Sequence, residues 1–164
     1  MNPDKEIINN HKQLSEYSCI PMAVELVLKL LNRAPSNYFE LQTLWNNFRF
    51  GSFCNFDGRT VNGVTFHHEF PVNKGRGFPP ERMKQLFDTI DREIKGGRYV
   101  VVSLPSGNDY HNFVIYNQTA EGEYEAVSKK YEAVSKNRSD TWWEVDVKKK
   151  INDMTGTDIL IYEL

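Results

Sequence analysis

The chain has 164 residues, 40% of them hydrophobic and 26% charged, with a net charge of −2. That is enough chain for one domain with an ordinary core, and its charge gives no general attraction to nucleic acid or an anionic membrane. The polar N-terminus lacks the apolar stretch of a signal peptide, and no apolar run is long enough to span a bilayer.

In chain order, the first strong element is an apolar segment over 20–32. Met22, Ala23, Val24, Leu26, Val27, Leu28, Leu30 and Leu31 wrap nearly all round a helix. Glu25, Lys29 and Arg33 recur at i, i+4 and i+8 as one thin polar stripe. This predicts a central helix enclosed by the fold, with Pro21 in its first turn and Ser18 or Cys19 at its cap. A second helix is predicted over 38–48, with Leu41, Leu44, Trp45 and Phe48 on one face. From 49 to 78 glycines alternate with aromatic residues, which reads as a loop-rich or short-stranded insertion whose rings need something to pack on. A third helix runs from 79 or 80 to 95 on Met83, Leu86, Phe87, Ile90 and Ile94, and Gly96-Gly97 ends it.

The period then becomes strand-like. Residues 98–104 (RYVVVSL) suit a strand buried on both faces, and after a turn at 105–109 the next strand covers 111–117. Tyr-Glu-Ala-Val-Ser-Lys at 124–129 repeats at 131–136, and its alternation also reads as strand. Segments 141–148 and 157–163 supply the last two strands. Helices first and an antiparallel meander afterwards predict an α+β fold in a single domain over 1–164.

Two cysteines, Cys19 and Cys54, cannot build a multi-bridge disulfide framework, and free thiols point to a reducing, cytoplasmic setting. Cys19 begins the first long helix, where unpaired N–H groups and the positive end of the helix dipole favour a thiolate nucleophile. His111 opens a strand after a Gly/Asn/Asp loop, a suitable place for a base, with Phe113 and Ile115 sharing its face. Adjacent His67 and His68 point to opposite faces of a strand and have no ligand-spaced companions, so neither a metal nor another cofactor is expected. The short basic run Lys148-Lys149-Lys150 reads as a solvated face.

Gln13, Cys19, Pro21 and the Leu-rich helix, followed far downstream by RYVVVSL, a loop and His111-Asn-Phe-Val-Ile-Tyr, resemble papain-like cysteine peptidases. The likeness is greatest to the bacteriocin-processing (C39) and C39-like branch. It implies a central catalytic helix packed on an antiparallel sheet, with Cys19 as nucleophile, His111 as base and Gln13 as oxyanion-hole donor. The substrate would be a peptide or protein, cleaved at an amide bond. Asn137 is the orienting residue when the seven-residue duplication is discounted, with Trp142-Trp143 shielding its bond to the base, and Asp140 or Asn117 are alternatives. Ile20 stands where that branch usually has Gly. The same residues are compatible with a deamidase or acyltransferase, or with a degenerate member that only binds; the 49–78 segment is the candidate substrate-facing wall.

Overall fold

The structure is a computed structural model, and it describes residues 2–45, 52–72, 75–106, 109–131 and 139–164. Its centre is a seven-stranded antiparallel sheet. The strands are β1 (Thr60–Val61), β2 (Val64–Glu69), β3 (Val100–Ser106), β4 (Asp109–Gln118), β5 (Tyr124–Tyr131), β6 (Ser139–Glu144) and β7 (Ile159–Glu163). They lie in the order β1-β2-β7-β3-β4-β5-β6.

Strand β3 shows why the sheet is covered on both sides. Val101 faces one hydrophobic cluster while Val100, Val102 and Leu104 face the other, and all four are buried. Side chains alternate across a strand, so an unbroken apolar run is stable only between two layers. Helix α2 (Cys19–Leu30) forms the core of one layer against β4 and β5, with α1 (Lys5–Asn10) and α3 (Glu40–Trp45) packed around it. Helices α4 (Pro80–Lys95) and α5 (Val147–Asp153) form the other. Leu86 and Ile90 of α4 and Val147 and Ile151 of α5 are fully buried there. Among the described residues no helix is long and apolar enough to cross a membrane.

The α+β class and the enclosed central helix match the sequence reading; several elements differ. Residues 147–153 are helical where a strand over 141–148 was expected. Val147 and Ile151, four apart, meet the sheet from one helical face, a period hidden by the lysine run. The short helix α1 was not anticipated; Asp4 makes it possible by accepting from the Glu6 and Ile7 N–H groups. The expected second helix is shorter, and residues 46–48 of it lie outside the described residues. The insertion contributes two strands, β2 pairing along β7 from Thr65↔Glu163 to Glu69↔Ile159. Its rings fill the α2-side core, with Phe56 stacked on Trp45 at 5.5 Å and Phe66 against Tyr162 at 5.9 Å.

The polar stripe on α2 is not solvated as a whole. Arg33 is exposed, but Glu25 and Lys29 are buried. Glu25 accepts from Leu41 N–H, Gln42 N–H and the Gln42 side-chain amide at 2.8–3.3 Å. Lys29 donates to His11 Nδ1 at 2.8 Å and to Ser36 O at 2.9 Å, and lies 3.8 Å from the centre of the Phe39 ring. His11 donates its Nε2–H to Met22 O at 2.9 Å. These bonds clamp α1, α3 and the residues before Cys19 onto one central helix.

Candidate functional site

Cys19 is the first residue of α2, and the chain leading to it is held by Gln42. The Gln42 carbonyl oxygen accepts from Leu14 N–H at 2.7 Å and Ser18 Oγ at 2.8 Å, while its amide donates to Lys12 O at 2.7 Å. Nothing local in the sequence marks Gln42, because a Gln inside a predicted helix carries no sign of complete burial. Pinned in this way, Cys19 opens onto a cleft of about 770 Å³. Ile20, Phe53, Phe78, Tyr110 and Met154 supply apolar lining, and Ser103, Asn112 and Asp158 are polar groups in it.

Among the described residues the side chain that bonds Cys19 is Asn112. Its Nδ2 donates to Sγ at 3.0 Å, and Ser103 Oγ donates to its Oδ1 at 2.8 Å. With a hydroxyl donor on the oxygen, the amide can present only its N–H side to sulfur. The pairing follows from strand parity. Val114 and Tyr116 face the α2-side cluster and Phe113 and Ile115 the opposite one, so Asn112 goes with α2 and His111 with α4 and α5. His111 does share a face with Phe113 and Ile115, but that face looks away from α2. Its ring stacks on Trp142 at 5.7 Å, meets Phe113 edge-on at 5.6 Å, and donates Nε2–H to Lys129 O at 2.9 Å. Burial pushes its pKa down. The structure therefore brings Asn112, rather than His111, to Cys19.

Of the other expected participants, Gln13 and Asn117 lie away from the cleft lining. Gln13 is buried, gives an amide N–H to Ser15 O at 2.8 Å, and is not part of the cleft lining. Asn137 lies outside the described residues, and Asp140 is described only as a backbone position of β6 paired with Lys130. Asn117 donates to Glu125 Oε1 at 2.7 Å, further along β4. On β5, the strand beside Asn112, buried Lys129 faces the α2 side together with Val127 and donates to Thr141 Oγ1 at 2.6 Å. Its charge contributes to the depressed pKa of His11. Ile20 lines the cleft next to the thiol, while Trp142 covers His111 on the far side of the sheet.

Electrostatically, burial pushes the Cys19 thiol up, against the opposing effect of the Asn112 amide and of the N–H groups of Cys19, Ile20 and Asn112. Desolvation thus outweighs the helix terminus that sequence reading relied on. An amide donor beside sulfur can hold a thiol or a bound carbonyl oxygen in place, but it has no lone-pair base to take the thiol proton. Of the adjacent histidines, His67 pairs with Glu163 at 3.1 Å and His68 with Asp158 at 2.8 Å. Among the described residues no group of three or more His, Cys, Asp or Glu side chains is placed to hold a metal ion. No family model, curated protein or solved structure matches the chain.

Proposed function

We propose that this protein is a binding module built on the plan of a papain-like cysteine hydrolase, receiving a peptide or protein segment in the Cys19 cleft without cleaving it. The observation that carries this reading is the Asn112 Nδ2 to Cys19 Sγ hydrogen bond of 3.0 Å. An amide stands where thiol hydrolysis needs an imidazole, and a neutral thiol is a weak nucleophile. The papain-like plan is supported by a thiol at the start of a central helix, packed on an antiparallel sheet whose fourth strand meets the sulfur. A second reading, a thiol hydrolase or acyl-transfer enzyme, draws on one feature: Cys19 opens onto a roomy cleft from a helix N-terminus.

Thiol labelling separates the two. Exposed Cys54 is replaced by Ser so that only Cys19 reports, with Cys19→Ala as the blank. Iodoacetamide is expected to modify Cys19 slowly at neutral pH, with a rate that climbs through the alkaline range and has no plateau near about pH 6. Rapid modification at about pH 6 would instead give the site to the hydrolase reading.

A further inference from the structure

The cleft contains a carboxylate with one unused oxygen. Asp158 Oδ2 accepts from His68 Nε2 at 2.8 Å, while among the described residues no hydrogen bond reaches Oδ1. Both side chains are largely buried, 19% exposed for Asp158 and 13% for His68. His68 is itself held, its ring edge-on to Phe53 at 6.0 Å and its backbone N–H bonded to Asp57. The Asp158 rotamer is therefore set from behind, which removes much of the entropy cost of using it to bind.

Position adds to this. Val101 and Val114 face the α2-side cluster, so Ser103 and Asn112, each two residues away on the same strand, share that face, and Asp158, immediately before β7, lies at the same end of the sheet bonded to His68. Asp158, Ser103, Asn112 and Cys19 all line the one cleft. Among the described residues the other charged lining groups are Asp109 and Arg76, and no ion pair joins Arg76 to Asp158. Among the described lining groups two carboxylates face one guanidinium, which favours a cation, and the rings of Phe53 and Phe78 suit an aliphatic stem leading to it.

Taking the cleft as a binding site, as proposed above, we propose that Asp158, fixed by His68, is the subsite for a cationic side chain of the bound peptide, a lysine-like ammonium on an apolar stem. The ammonium donates to Asp158 Oδ1, the stem lies along the aromatic lining, and the peptide backbone is carried towards Asn112 and Cys19.

The test titrates the full chain, labelled with nitrogen-15, with Nα-acetyl-lysine methylamide and separately with Nα-acetyl-norleucine methylamide, following amide shifts by NMR. The lysine derivative is expected to bind about tenfold more tightly than its uncharged counterpart and to shift the amides of Ser103, Gly156 and Asp158. Asp158→Asn keeps an acceptor for His68 and is expected to abolish that preference with the spectrum otherwise unchanged, whereas Asp88→Asn, on the exposed side of α4 outside the cleft, is expected to retain it. No saturable shift by the lysine derivative, or a preference that survives Asp158→Asn, overturns the subsite. Fast Cys19 labelling with an intact lysine preference would remove the binding-only reading and leave the subsite standing. Slow labelling with no preference would do the reverse.

Discussion

Asn112→His is expected to convert Cys19 into a fast-reacting thiol. The side chain at 112 already meets Sγ at 3.0 Å and already has a partner in Ser103 Oγ, so an imidazole there has both a proton to take and a neighbour to orient it. A His-paired Cys at a helix N-terminus commonly titrates well below neutral pH, whereas burial pushes the native Cys19 thiol up. Alkylation of Cys19 at about pH 7 should rise on the order of 100-fold, and the rate should level off on the acid side, where no plateau is expected of the native protein. Stopped-flow labelling in the Cys54→Ser background measures this. His111→Ala in the same background should leave the gained reactivity intact, because His111 faces α4 and α5. A native-like Asn112→His protein whose Cys19 stays as slow as before would show that the missing base is not what keeps this thiol quiet.

The second large effect is on stability. Glu25→Ala is expected to cost about 3–5 kcal/mol, since it removes the buried acceptor for three N–H groups and a carboxylate whose charge favours the buried Lys29 ammonium. Glu25→Gln keeps an acceptor and should cost about 1–3 kcal/mol. Urea unfolding followed by circular dichroism gives both values, and equal losses would mean that the charge is irrelevant to the clamp.

The same cluster sets the acid limb of stability. Burial, reinforced by the Lys29 charge, holds His11 down to about 3 from an ordinary 6.5. Between those values the unfolded chain binds a proton that the native protein refuses, so stability falls as pH drops through that window. Glu25, which burial pushes up to about 7 from 4.5, acts in the opposite direction: across its window the native state keeps a proton that the unfolded chain has lost. The two oppose each other between 4.5 and 6.5, and below 4.5 His11 acts alone. Stability should therefore change little in the overlap and drop steeply below it. His11→Gln, measured by unfolding at a series of pH values, should flatten the steep part.

Much of this protein is legible in one dimension because a few segments have only one stable environment. An apolar helix such as 20–30 must be enclosed, and a run such as Val100-Val101-Val102 must lie between two layers, so the helix-then-meander order already implies an α+β fold. Cys19 at the start of that helix could likewise be singled out from position alone. What sequence could not decide was parity and partnership. His111 and Asn112 are neighbours, and a shift of one residue along a strand exchanges the two faces of a sheet; only the pairing of β4 with β3, and the side on which α2 packs, determines which of them meets the sulfur. Likewise, Glu25 and Lys29 have the spacing of a solvated stripe, and only the docking of α1 and α3 over them turns that stripe into a buried clamp. The thiol at residue 19 was readable from the chain. That it faces an amide, and a carboxylate held by His68 across the same cleft, was decided by contacts between residues tens of positions apart, which no local pattern encodes.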